Sequence, residues 1–324
     1  MRRMRIRVNA GLFALAIAGS LAGCATVPPE VSAVRYATAA PLAPIKRTDH
    51  PVVVVALSGG AARGFAHTGV LRVLDESGIK PDAIVGTSAG SVVGALYAGG
   101  IRGDALVDAA LELQREQVIE FTYPNRGFVN GQRLQEYIDR RLGDRPIERL
   151  DLPFVAVATD LRTGRLVAFN RGDTGTAVRA SSSVPAVFQP MAMDGHEYVD
   201  GGLVSPVPVR VARALGADIV IAVDVTHQPT AEKQFDSTGA LVAQSIIIME
   251  HALADNELKE ADVVIRPDLR DAPSVSFDQR DEVVAAGERA ARAALPRIHE
   301  LIEAKRRKLF MLSEHRSGAS ASSR

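Results

Sequence analysis

A single cysteine, Cys24, stands among the 324 residues. No intrachain disulfide and no cysteine-rich zinc centre can therefore be built, and the fold must be held by its core. Charge of one sign is also lacking: 38 Lys and Arg balance 38 Asp and Glu, which removes the electrostatic footprint of a nucleic-acid-binding domain. The one dense basic run, Lys305-Arg306-Arg307-Lys308, reads as the solvated end of a helix. There is no internal repeat and no metal-ligand motif, so neither a solenoid nor a metal or cofactor centre is expected. What remains, 47% hydrophobic and 23% charged residues, is the composition of an ordinary globular chain with a sizeable core.

The first residues read as an address. Arg2, Arg3, Arg5 and Arg7 precede the mostly apolar stretch 8–22, the n-region and h-region of a secretory signal. That stretch is shorter than the roughly 20 residues a permanent bilayer helix needs, so cleavage is expected. It ends in Leu21-Ala22-Gly23-Cys24, which resembles the bacterial lipobox, with Cys24 as the acceptor of a diacylglyceryl group. Several acyl chains, at about 0.8 kcal/mol per buried CH₂, would make attachment effectively permanent. Ala25 rather than aspartate after the cysteine implies, by the same analogy, the outer membrane of the cell envelope, facing the periplasm. Removing 1–23 takes away four arginines and no acid, leaving a mildly acidic chain. Residues 24–50, with Pro28, Pro29, Pro41 and Pro44 and no periodicity, read as a lipidated tether.

From Pro51 the pattern changes. Pro51 to Leu57 is a β-branched run of the kind buried on both faces of a parallel sheet, and 66–77 carries Val70, Leu71, Val73 and Leu74 at helical spacing before Gly78. A second unit repeats the plan, with a short strand at 82–85 and a helix at 91–98 ended by Gly99-Gly100. Two successive βα units imply a right-handed parallel crossover. Further helices are expected at 104–119, 132–142, 239–254 and 278–310, and strands at 154–159, 166–169, 219–223 and 263–265, with 154–159 and 166–169 as a hairpin. The whole is a doubly wound α/β domain over 51–311, with 312–324 as a disordered tail.

Two loops at predicted strand ends carry chemistry, where ligands gather in such sheets. Gly86-Thr87-Ser88-Ala89-Gly90 is a G-x-S-x-G elbow between strand and helix, in which the glycines allow the cramped turn that lifts a serine hydroxyl out of the sheet. Ser58-Gly59-Gly60-Ala61-Ala62-Arg63-Gly64 presents backbone N–H groups uncluttered by side chains. It lacks the Walker lysine and the dinucleotide glycine spacing, and suits an oxyanion hole beside Ser88. For the base of that serine the residues leave two choices. One is histidine, with His227 after Asp224 as the best placed and His251 behind it; the other is Asp200 of the turn Asp200-Gly201-Gly202.

Taken together, the Gly59 to Gly64 loop, the Gly86 to Gly90 elbow, the Ala180 to Pro190 segment and the Asp200-Gly201-Gly202 turn, in that order, resemble the patatin-like phospholipases over about Pro51 to Asp224. The resemblance implies a patatin-like, doubly wound, mostly parallel sheet flanked by helices in a single domain. It implies a Ser–Asp dyad in which Ser88 attacks an ester carbonyl and Asp200 accepts its proton, with backbone amides of Gly59, Gly60 and Ala61 as the oxyanion hole. Arg63 would position the loop or a lipid phosphate, beside Gly64. The expected activity is cleavage of fatty-acyl esters of (lyso)phospholipids or related lipids, with membrane lipids as substrate and anchor and without cofactor, metal or nucleic acid. The departure is Ala61, where many members have a third glycine; a backbone donor survives that change. A triad through Asp200 or Asp224 and His227 or His251 stays open, as does a non-catalytic lipoprotein on the same scaffold. Acyl length, headgroup and oligomeric state are not expressed in the residues.

Overall fold

Val53, Val55 and Leu57 bury on one face of the first strand and Val54 and Ala56 on the other, as a period of two dictates for a strand covered on both sides. The computed structural model describes residues 37–47, 49–123, 126–229, 236–269 and 279–321, the last ten as backbone. The expected signal peptide, Cys24 and the first part of the tether lie outside these residues.

The first strand, β1 (Val53–Leu57), leads through a 3₁₀ turn (Ala61–Gly64) into α1 (Phe65–Glu76); β2 (Ala83–Thr87) then leads into α2 (Ala89–Ala98). Next come α3 (Asp104–Glu112), α4 (Gln132–Leu142), β3 (Phe154–Asp160), β4 (Leu166–Phe169) and α5 (Thr174–Ser181). They are followed by β5 (Met191–Met193), β6 (His196–Asp200), α6 (Val209–Ala214), β7 (Ile219–Val223), α7 (Thr238–Leu258), β8 (Val263–Ile265) and α8 (Arg280–Ala321). The eight strands form one sheet in the order β5-β6-β3-β2-β1-β7-β8, with β4 also on β3. The run from β3 to β8 is parallel, while β4, β5 and β6 are antiparallel additions. The doubly wound, mostly parallel α/β fold is thus present. Residues of α1 to α5 and α8 pack on one face, and those of α6 and α7 on the other. From β1 the chain proceeds to β2 on one side and later to β7 on the other. That reversal opens a crevice at the carboxyl ends of β1, β2 and β7.

Three expectations are corrected. Residues 37–47 are not a free tether: Thr38 N–H donates to Arg171 O at 2.8 Å and Ile45 N–H to Leu215 O at 2.8 Å, while Leu42 and Ile45 pack on the face shared by α6 and α7. Two apolar side chains give a proline-containing segment something to bury. The helix expected at 104–119 ends at Glu112, because Leu113 turns extended with ψ near 118° and a short 3₁₀ turn (Arg115–Gln117) follows. The tail expected as disordered from 312 continues α8 to Ala321. Among the described residues no helix is long and apolar enough to cross a membrane.

Candidate active site

Ser88 sits between β2 and α2 with φ 53° and ψ −123°, a region sparsely populated by residues with a side chain and found where a tight turn is over-determined by its surroundings. The turn is forced by contact. A Cβ on Gly90 would stand 2.3 Å from Leu57 O, and one on Gly86 would stand 2.3 Å from Gly90 O, so α2 can begin this close to β1 only with glycine at both places. The backbone is then pinned: Ser88 N–H donates to Ser181 Oγ at 2.9 Å, and Ser181 Oγ donates to Val157 O at 2.6 Å. Ser91 Oγ donates to Ser88 O at 2.7 Å.

Asp200 ends β6 directly across the sheet from Ala158. Its backbone N–H donates to Ser183 O at 2.9 Å and its Oδ1 accepts the Gly202 N–H at 2.7 Å. Gly201 lies where a Cβ would meet Val157 O. The neighbouring hydroxyl of Ser88 and the Gly202 N–H pull the Asp200 pKa down, but burial dominates and pushes it up to about 6. Between Ser88 and Asp200 there is no hydrogen bond of ordinary length and angle; Oδ2 is buried without a partner. One oxygen of this carboxyl is thus uncommitted. Both residues are buried, at 7% and 6% exposure, yet both line one cavity of about 280 Å³.

The glycine loop forms the third wall of this cavity. His67, buried and held neutral with its pKa pushed down to about 4 by burial, makes a 2.9 Å hydrogen bond from Nε2 to Ser58 O. Val225 N–H donates to Ser58 Oγ at 2.8 Å, and a Cβ on Gly60 would stand 2.6 Å from Val225 O. Gly59 N–H is committed to Pro206 O at 3.0 Å, so Gly59 is not a free donor, contrary to expectation. Gly60 and Ala61 keep uncommitted N–H groups, with Ala61 in the left-handed region at φ 50°. The Ala89 N–H at the start of α2 is likewise uncommitted, a position sequence reasoning passed over although it directly follows the elbow serine. Gly64 packs against Ala89, where a Cβ would lie 2.6 Å from Ala89 Cβ. Arg63 does not line the cavity. Its guanidinium is buried and donates to Leu269 O at 3.2 Å, so it anchors the loop.

The histidine alternatives separate in space. His227 lines the cavity, but neither Ser88 nor Asp200 is hydrogen-bonded to a histidine. His251 faces Asp255 at 3.5 Å on α7. Asp224 is occupied in its own turn, accepting from Thr226 N–H and Oγ1 and pairing with Arg266 at 2.8 Å. Among the described residues no group of three or more His, Cys, Asp or Glu side chains could hold a metal ion. One residue was missed altogether. Glu250 of α7 lines the cavity beside Asp200, and its signal was an acid closing the apolar run Ile246-Ile247-Ile248-Met249.

Residues 55–213 match the family model described as patatin-like phospholipase. These residues form a domain of the patatin-like phospholipase family. Curated relatives include an uncharacterised NTE family protein of Mycobacterium tuberculosis, 35% identical over 184 residues, which are 56% of this chain and 51% of that one. Another from the same species is 30% identical over 272 residues, 76% of this chain and 47% of its own length. Human patatin-like phospholipase domain-containing protein 6 is 36% identical over 184 residues, 54% of this chain and 13% of the human one. The chain thus spans about half the length of the mycobacterial relatives and a small part of the human protein. Among solved structures, ExoU of Pseudomonas aeruginosa in complex with SpcU aligns over 82% of this chain and 53% of its own at a TM-score of 0.45 and 13% identity. VipD of Legionella pneumophila aligns over 84% and 70% at 0.43 and 14%.

Proposed function

We propose that this patatin-like domain is a serine acyl hydrolase that cleaves fatty-acyl ester bonds of (lyso)phospholipids or related lipids, with Ser88 as nucleophile and Asp200 as its base. The observation that carries the reading is the juxtaposition of the strained Ser88 and the partly unsatisfied carboxyl of Asp200 in one mainly apolar cavity. Ser88 Oγ attacks the ester carbonyl while Asp200 takes its proton, giving an acyl-enzyme that water later releases. The alkoxide-like oxygen of the intermediate is received by uncommitted N–H groups of Gly60, Ala61 and Ala89, fixed before substrate arrives. A carboxylate is a weak base, and burial offsets this by bringing the Asp200 pKa up to about 6, near the pH at which it must work. The walls Val184, Leu203, Ile246, Met249 and Leu253 suit an acyl chain.

A fluorophosphonate probe tests the reading: wild type labels at Ser88, and equal labelling of Ser88→Ala refutes it. Asp200→Asn should lose esterase activity, and full activity in that variant removes the dyad. The envelope location belongs to the same proposal, through Cys24 as lipid anchor. Cys24→Ser should move the protein out of the membrane fraction, and an unchanged distribution rejects the anchor.

A further inference from the structure

We propose that Glu250 is a second proton-transfer residue of this site, donating to the leaving alcohol during acylation and accepting from the attacking water during deacylation. This rests on the serine hydrolase reading and deepens it. Glu250 Oε1 lies 3.2 Å from the point where a Cβ on Gly202 would stand, and that point is 3.1 Å from Asp200 Oδ1. It lies 3.7 Å from the corresponding point on Gly59, which is 3.4 Å from Ser88 Cβ. The carboxyl therefore hangs from α7 over the place where the glycine loop, the nucleophile and the Asp200 turn meet.

Nothing else in the described structure claims it. Glu250 makes no hydrogen bond or ion pair among the described residues, and the cavity wall holds no lysine or arginine to fix it as a carboxylate. The charged groups facing it are Asp200 from β6 and Asp224 after β7, the latter paired with Arg266; His227 is the other titratable side chain of the wall. Burial, then the charges of Asp200 and Asp224, push the Glu250 pKa up to about 7, whereas that of Asp200 stands at about 6. Two carboxyls in one pocket share out their protons, and the Gly202 N–H on Asp200 Oδ1 favours the ionised form there while Glu250 accepts from no donor among the described residues, so Asp200 is the carboxylate and Glu250 the acid. That division assigns base to one and acid to the other.

The steps balance. In acylation the Ser88 Oγ–acyl carbon bond forms, the serine proton goes to Asp200, the ester C–O bond breaks and the departing oxygen takes the proton of Glu250. In deacylation a water oxygen bonds the acyl carbon, its proton goes to the Glu250 carboxylate, the acyl–Oγ bond breaks and Asp200 returns its proton to Oγ. Both carboxyls end as they began.

The test compares leaving groups. With a p-nitrophenyl ester, whose leaving group needs no proton, Glu250→Gln should give a nitrophenol burst at the wild-type rate and a steady state slower by about 10²-fold or more. With the glyceryl monoester of the same fatty acid, single-turnover acylation itself should slow by about 10²-fold. Equal losses on both esters, or none, overturn the assignment. Fluorophosphonate labelling of Ser88 at the wild-type rate verifies that Glu250→Gln is folded. Glu250→Asp, which keeps an acid, should recover part of the glyceryl-ester rate, and an Asp variant no better than Gln also counts against it. A wild type that neither labels at Ser88 nor bursts brings down the hydrolase reading itself, whereas a labelled wild type with leaving-group-independent loss overturns Glu250 alone.

Discussion

Replacing Asp200 by Asn should abolish activity and, at the same time, make the protein relatively more stable as pH rises. Asp200 is raised from the usual 3.8 to about 6, chiefly by burial, so the folded state binds this proton more tightly than the unfolded chain does. The stability so contributed is fully present below about pH 3.8 and is lost as pH rises through about 6. A shift of about two units at about 1.4 kcal/mol each amounts to about 3 kcal/mol. The group is 6% exposed, so solvent screening removes little of it. Asn cannot ionise and preserves the acceptor for Gly202 N–H. Its buried amide costs about 1–3 kcal/mol if unpaired, but that cost does not depend on pH. The clean readout is therefore the stability difference between Asp200→Asn and wild type, from urea melts at pH 4 and pH 8. It should move by about 3 kcal/mol in favour of Asn. His67 is common to both proteins and cancels, whereas Glu250, whose pKa the Asp200 charge helps to raise, loses that push in the variant and moves the difference further in the same direction. A difference that is flat with pH, or that moves towards wild type as pH rises, refutes the claim that burial tunes this carboxyl.

Ser181→Ala leaves the buried Ser88 N–H without its acceptor, which should cost about 1–3 kcal/mol in a denaturant melt and slow fluorophosphonate labelling; a change within about 0.5 kcal/mol removes Ser181 as the pin of the elbow. Gly60→Ala pushes a methyl into Val225 O, 2.6 Å away, and should lower kcat by about 10²-fold through displaced oxyanion donors; wild-type kcat would show that the loop does not supply them. His227→Ala should leave acylation within about tenfold of wild type, since neither Ser88 nor Asp200 bonds a histidine, and a loss of about 10³-fold would restore a triad.

The central strands were legible because they are extreme: β1 and β7 are runs of Val, Ile, Leu and Ala buried at every position in the middle of a parallel sheet, and such runs have few other places to go. β5 was not, since Met191-Ala192-Met193 is three residues long and owes its extension to pairing with β6, a partner no local pattern names. The same division holds in the site. Gly86, Ser88, Gly90 and Asp200 announce themselves by local turn chemistry, whereas the commitment of Gly59 N–H to Pro206, the burial of Arg63 under Leu269 and the approach of Glu250 are made between segments far apart in the chain. Glu250 shows the cause most plainly. On a helix whose outward residues Leu241, Val242 and Ile248 are exposed and apolar, the usual rule of polar out and apolar in points the wrong way, and its acid is turned towards the cavity. A local rule inverted on one helix, beside a strained serine and a half-satisfied carboxyl, marks where folding stability has been given up for chemistry.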